Sequence, residues 1–232
     1  MSCEVKLISC TAKPSRVVAA AAKLCYSPSP ASGLMDGLDA SGIRDFLGRL
    51  RSVGHLSPFE HASFTYAVEG ISRVASHQLV RHRIASYSQR SQRYVDSGRS
   101  GAVVPPEVSA NPEALAVYER CVHDSREAYE RLVSMGVPRE DARFILPHGW
   151  ETSIIVTMNA RELHHFFQLR LCRRAQWEIR EVARGMLILA REAAFELFET
   201  AGPSCVSEGE CRELHTCGNP YSGVGEIIGE GG

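Results

Sequence analysis

The run Arg81-His82-Arg83-Ile84-Ala85-Ser86-Tyr87-Ser88-Gln89-Arg90-Ser91-Gln92-Arg93-Tyr94 gathers four arginines, three serines, two glutamines and a histidine. No acid occurs between Glu69 and Asp96, although the whole chain carries a net charge of −1. The positive charge is therefore local. Guanidinium groups present rigid forks of donors, and hydroxyls and amides add more. Phosphates and electron-rich heterocycles are the natural partners of such a lining. The plain alternative is a solvated helix face, with Arg81 and Arg83 complementing a helix C-terminus.

Other stretches carry similar groups. His55-Leu56-Ser57-Pro58-Phe59-Glu60-His61 reads as a capping box, with Ser57 as cap, proline at the first helical position and Glu60 three residues on. Asn159-Ala160-Arg161-Glu162 is a second capping pattern, and Arg161 and His165 share a helix face. Arg170, Arg173 and Arg174 crowd the end of that helix, where cations are favoured anyway. Glu140 and Arg143, three apart, make an ordinary surface ion pair.

The order of these residues resembles the flavin-dependent thymidylate synthases, the ThyX family. Arg-His-Arg, seven residues, Ser91 and then Gln-Arg-Tyr is similar to that family's signature. The Ser57 heptapeptide resembles a second family patch. Asn159-Ala160-Arg161, Arg170 and Ala175-Gln176-Trp177-Glu178-Ile179-Arg180 resemble a third. Members often carry glutamate where Gln89 stands and asparagine where His165 stands.

The resemblance implies reductive methylation of dUMP to dTMP. The carbon donor is 5,10-methylenetetrahydrofolate, and NADPH-reduced FAD supplies the hydride. It assigns FAD to Ser57, Arg81, His82, Arg83, Gln89, Asn159, Arg161 and His165. It assigns dUMP to Gln78, Arg81, Gln89, Arg90, Ser91, Gln92, Arg93, Arg143 and Arg170, with the main chain contributing near Arg90 and Gln92. Arg143 would reach the phosphate from a neighbouring subunit of a homotetramer whose active sites are shared. Arg170 is the catalytic residue on this reading. It cannot act as a base, and would stabilise charge on the uracil ring as N3 ionises. Ser91 lacks a general base at a recognisable spacing and reads as a hydrogen-bond donor.

These side chains need elements to hold them. The pattern predicts a strand over Glu4 to Cys10, a helix from Pro14 to about Tyr26, and a loop marked by Pro28, Pro30 and Gly33. A helix capped by Asp39 or Ser41 follows, to about Val53. Ala62 to Val68 alternates as a strand. A helix is expected from Ile71 to Arg83, with Gln78 sharing a face with Arg81 and His82. Ile84 to Val95 reads as a binding loop and Ser97 to Pro106 as a connector. Asn111-Pro112 opens a long helix to about Met135, with Leu115, Tyr118, Val122, Tyr129 and Leu132 as its buried stripe. Pro138 opens another, closed before Pro147. Glu151 to Thr157 reads as a strand and Ala175 to Thr200 as a last helix. Few strands and many helices, not alternating as βαβ units, give an α+β fold. We expect a single compact domain over 1–203, with a small, mostly antiparallel sheet and several long helices, and a Cys/Gly-containing tail over 204–232.

Near-neutral charge argues against a general nucleic-acid or membrane-surface binder. No apolar run reaches the roughly 20 residues of a membrane span. Met1 to Cys10 lacks a basic region followed by an apolar one, so no export signal is expected and a cytoplasmic location follows. No glycine-rich phosphate loop is present. Eight cysteines in a chain of this size, without an export signal, read as reduced thiols rather than a disulfide framework. Cys205, Cys211 and Cys217 are evenly spaced, with His215 nearby, but match no common zinc module. A flexible tail without metal is the expectation. Two rivals remain open. One is an RNA- or DNA-binding module built on the arginine stretch, with bases stacking on Tyr87 and Tyr94. The other is a metal hydrolase using His55, His61 and His77, or the cysteine tail.

Overall fold

A computed structural model describes residues 3–35, 39–98 and 100–229. Arg99, within the expected connector, and 230–232, at the end of the expected tail, lie outside the described residues. The strands are β1 (Glu4–Cys10), β2 (Ser63–Ser72), β3 (Ala85–Gln89) and β4 (Glu151–Asn159). The helices are α1 (Pro14–Leu24), α2 (Ala40–Ser52), α3 (Arg73–Leu79), α4 (Pro106–Ser109), α5 (Pro112–Ser134), α6 (Arg139–Ala142), α7 (Ala160–Arg170), α8 (Trp177–Ala193), α9 (Phe195–Phe198), α10 (Ser204–Ser207) and α11 (Val224–Ile228). Short 3-10 turns cover Ala31–Met35, Ser57–His61 and Arg143–Ile145. The strands form one antiparallel sheet in the order β1-β2-β4-β3, so the fold is α+β. No helix of the described residues is long and apolar enough to cross a membrane.

Local chemistry explains most boundaries. Asp39 caps α2 by accepting from the Gly42 amide at 2.8 Å. Asn111 caps α5 by accepting from Glu113 and Ala114 at 3.0 and 3.2 Å, with Pro112 at the first helical position. Gly136, at φ 87°, lets the chain turn away after α5. Ser57 departs from the expectation. It makes no side-chain cap bond, because its turn is a 3-10 turn whose cap position falls on Leu56.

By internal contacts the chain falls into two units. The first comprises Val68–Arg81 and Ser88–Ile154, with Cys3. Trp150 is its anchor. It is fully buried, donates Nε1–H to the Ser97 carbonyl at 2.9 Å, and lies 5.3 Å from the guanidinium of Arg126. The α5 stripe is less buried than expected: only Tyr129 is covered, while Leu115, Tyr118, Val122 and Leu132 stay half-exposed.

Among the described residues, the second unit comprises positions 4–67, 82–87 and 155–229. Helix α8 packs on β1, and Gly185 permits the approach: a Cβ there would meet Val5 at 3.1 Å. Ile179, Val182, Met186 and Leu187 go fully under. Each such side chain contributes about 1.5–3 kcal/mol. The last helix is shorter than expected. It breaks at Ala194, where Arg191 turns to donate to the carbonyls of Phe198 and Glu199 at 3.0 and 2.7 Å. The segment after Pro203 is not a detached tail. Helices α10 and α11 belong to this unit, and Ile227 is buried.

Two further expectations change. The helix expected over 71–83 is only α3, because Ile71 and Ser72 complete β2 and Ser72 caps α3 by accepting from Ala75 at 3.1 Å. The expected loop after Ile84 begins as β3. Its half-buried Ala85, Tyr87 and Gln89 alternate with exposed serines at the edge of the sheet, so polar composition hides the two-residue period.

Candidate functional site

In the second unit the chain turns after α3 and points His82 inward. Its side chain is only 2% exposed. Arg170, at the end of α7, donates Nε–H to His82 Nε2 at 3.0 Å. Arginine can only donate, so Nε2 carries the lone pair and the proton sits on Nδ1. Nδ1–H then donates to Glu162 Oε1 at 3.2 Å. The Tyr87 hydroxyl donates to the His82 carbonyl at 2.8 Å, fixing the turn. Burial, then the charges of Arg170 and His165, push the imidazole down to about 4. The Glu162 contact is thus a hydrogen bond from a neutral ring, not an ion pair. Burial also pushes the Glu162 carboxyl up. It lowers Arg170 too, which remains a cation.

Around this chain of contacts stand other residues marked in the sequence. His165 is exposed and meets the His82 ring edge-on at 5.6 Å between centroids. Asn159 caps α7, accepting from the Glu162 amide at 2.8 Å. Arg161 pairs with Glu60. Ser57 and Arg83 are exposed, and Arg83 pairs with no acid among the described residues.

The first unit holds the other set. Arg93 donates to Glu140 at 2.8 Å, so Glu140 is Arg93's partner and not, as expected, the ion-pair partner of Arg143. Arg143 donates instead to the Glu140 carbonyl at 3.1 Å. Helix α6 gives way at Arg143 to a 3-10 turn, which swings that side chain off the Glu140 carboxylate. Ser91 accepts from the Arg93 amide at 3.2 Å, a local turn bond. Gln89 donates to the Thr152 hydroxyl at 3.3 Å. The Arg90 amide already donates to the Ser153 carbonyl at 2.9 Å, so the expected main-chain donor there is taken by the sheet. Gln92 is half-buried in the turn that follows. Gln78 lies on α3; Arg81, beyond its end, is exposed and pairs with no acid among the described residues.

Arg73, at the start of α3, was not marked by the sequence. Its Nη2 donates to the Arg90 carbonyl at 3.0 Å, and its buried Nε meets no acceptor among the described residues. Burial and the nearby Arg143 charge lower its affinity for its proton. An orphaned guanidinium N–H beside a second guanidinium is what an anion site needs. Glu162 was read only as a capping residue. A carboxylate at the third position of a helix gives no sign of which histidine it will meet.

The rival metal site does not assemble from the histidines. His55 and His61 are exposed, and His77 packs edge-on against His148 at 5.5 Å. Among the described residues, one group of metal-ligating atoms lies mutually within 4.8 Å: His123, Asp124 and Glu127, all exposed.

The family described as "Thymidylate synthase complementing protein" matches residues 6–194. A flavin-dependent thymidylate synthase of Geobacter sulfurreducens is 53% identical, covering 93% of this chain and 94% of that protein. One of Clostridium tetani is 45% identical, covering 94% of each. A UMP/dUMP methylase from Streptomyces cacaoi, solved bound with 5-Br dUMP, superposes with a TM-score of 0.73 at 27% identity, over 86% of this chain and 94% of that one. Relatives this similar over nearly the whole length, carrying one name, leave a single conclusion: the chain belongs to the flavin-dependent thymidylate synthase family.

Proposed function

We propose that this protein is a methyltransferase making dTMP from dUMP by reductive methylation, with 5,10-methylenetetrahydrofolate as carbon donor and NADPH as the source of reducing equivalents through FAD. The observation that carries the reading is the Arg170 guanidinium, held at Nε by a neutral His82 whose other nitrogen is anchored on Glu162. A cation fixed in direction can stabilise negative charge on a uracil ring without reorganising.

The residues present fit an anionic dinucleotide. On this reading Arg81 and Arg83, which pair with no acid among the described residues, Arg161, His165, the Ser57 hydroxyl and the Asn159 and Gln89 amides supply donors of the kind a pyrophosphate and a polar ring edge take. His82 contributes by position, with its ring turned to Glu162 and Arg170. FAD, when bound and reduced, supplies the hydride that completes the methyl group. Gln78, Arg81, Gln89, Arg90, Ser91, Gln92, Arg93, Arg143 and Arg170 bind dUMP on this reading. Arg73 joins them, because its orphaned Nε beside Arg143 suits a phosphate. Arg93 must exchange Glu140 for the nucleotide or hold both. Arg90 contributes its side chain, since its amide is engaged.

The homotetramer is part of the proposal. Its support is the half-exposed α5 stripe and Phe144, 82% exposed beside Arg143, which are surfaces that subunit contact would cover. A cytoplasmic location is part of the same proposal.

The purified protein should show a flavin spectrum that bleaches anaerobically with NADPH and responds to dUMP. It should form dTMP only with methylenetetrahydrofolate present. A colourless protein that FAD does not reconstitute, and that leaves dUMP unchanged, overturns the reading.

A further inference from the structure

One cluster of reactive side chains has no task in the scheme above. Cys172, Cys205, Cys211 and Cys217, four of the chain's eight cysteines, line a single cavity of about 220 Å³ in the second unit. All four are free thiols. Cys172 follows the last residue of α7 by two, Cys205 lies in α10, and the other two sit between α10 and α11. The even spacing in the tail is therefore only three quarters of the cluster. The fourth member comes from a helix end more than thirty residues earlier in the chain.

The segment between α10 and α11 has no helix or strand, and every residue from 207 to 220 is exposed. Such a stretch buries no apolar side chain to offset the entropy of ordering it. Ion pairs tie it down, Arg174 with Glu213 at 3.2 Å and Arg212 with Glu208, together with a few hydrogen bonds and the Arg173 guanidinium over the Tyr221 ring at 4.0 Å. Exposed pairs of this kind hold little. Arg174 also donates to the His215 carbonyl at 2.7 Å, bringing the loop against the end of α7. A bound cation would hold these groups as thiolates, because metal ligation deprotonates a thiol outright.

We propose that these four cysteines hold a thiolate-bound metal centre of the iron–sulfur class, which orders the segment between α10 and α11. The class follows from spacing. No three of the four sulfurs lie mutually within 4.8 Å, since among the described residues only the His123 group does. A single zinc ion with bonds of about 2.3 Å draws four sulfurs to within roughly 3.8 Å of one another. An iron–sulfur cluster takes four cysteines bound to its several irons, and so accepts thiols set wider apart. No residue of this cluster belongs to the nucleotide sets, and the proposal does not depend on them.

The test is elemental analysis of the full-length protein, purified anaerobically without chelators. Iron and acid-labile sulfide are expected in equal amounts, several of each per chain. Both should be lost in Cys211→Ser and Cys217→Ser, single variants at exposed positions, and retained in Cys121→Ser. Flavin content should be unchanged in all three. Alkylation with iodoacetamide, read by intact mass, should leave four thiols protected in the native protein. Stoichiometric zinc without sulfide, lost in the same variants, overturns the iron–sulfur assignment. A metal-free protein in which Cys172, Cys205, Cys211 and Cys217 all react overturns the centre itself.

Discussion

Glu162→Gln keeps the volume of the buried side chain but replaces the carboxylate with a neutral amide, whose oxygen accepts more weakly. The bond that fixes the His82 proton on Nδ1, and with it the lone pair offered to Arg170, is weakened. In metal sites, where a carboxylate orients a histidine in the same way, removal of the orienting partner costs about 10–100-fold. We expect kcat to fall about tenfold with the KM for dUMP little changed, and Glu162→Asp to recover part of the loss. Steady-state kinetics of the two variants check this; a wild-type kcat in Glu162→Gln removes the contact from function. Arg170→Ala should retain FAD and lose dTMP formation by about 100-fold or more, as when a preorganised donor is deleted from a charge-stabilising site. Near-normal turnover there would take Arg170 out of the chemistry. For Arg73→Gln and Arg93→Ala the expected loss is in dUMP affinity, since a charge-assisted bond is worth about 1.5–3 kcal/mol. Arg93 should sit at the lower end, because the free protein already gives it Glu140. Calorimetric titration with dUMP separates the two.

At the scale of elements, α7 carries two consecutive histidines with different surroundings. His164 packs between Phe59 and Phe198 and meets the Leu197 carbonyl at 2.9 Å; burial pushes it down to about 4. His82, packed against the same helix, is likewise about 4. The groups facing His82 are Glu162, Arg170 and His165, with the Tyr87 phenol on its carbonyl. Both rings are neutral when folded and take a proton near 6.5 when unfolded. Their contribution to stability is therefore complete above about pH 6.5 and is lost as pH falls towards 4. Tm should drop through that window, and His164→Asn should flatten the drop; a Tm independent of pH there would contradict the burial. The same helix shows how far the sequence can be read. Asn159 announced its start, Arg161 and His165 shared a face by spacing, and the family resemblance marked Arg170. Glu162 was not, because its partner arrives from a turn eighty residues earlier. The turn itself was hidden, because Arg81-His82-Arg83 continues a plausible helix until His82 finds a buried carboxylate. Strand β3 was missed for a related reason. Edge position lets serines and glutamine stand where a central strand would need apolar residues.

For the whole molecule, the proposed sharing of active sites between subunits makes a prediction that a self-sufficient chain does not. Arg143→Ala and Arg170→Ala should each be nearly inactive alone, and subunit exchange between them should restore part of the activity. Absence of complementation after exchange confirmed by native mass spectrometry would place each site within one chain. Val117, 65% exposed on α5, is the matching probe of assembly: Val117→Asp should lower the mass measured by light scattering if that face is a subunit contact. What lay beyond sequence reading here is what belongs to no single segment, such as the phosphate-suited Arg73 or the meeting of Cys172 with three later thiols. Trp150 offers a last use of the fold. The chain has two tryptophans, and this one is sealed from water under a guanidinium, at the base of the strand that carries Thr152 and Ser153. Its emission should be blue-shifted, and mutating the half-buried Trp177 to Phe would leave it the sole fluorophore of its kind. The strand that pairs with Gln89 and Arg90 would then report nucleotide arrival by its own light, without a label.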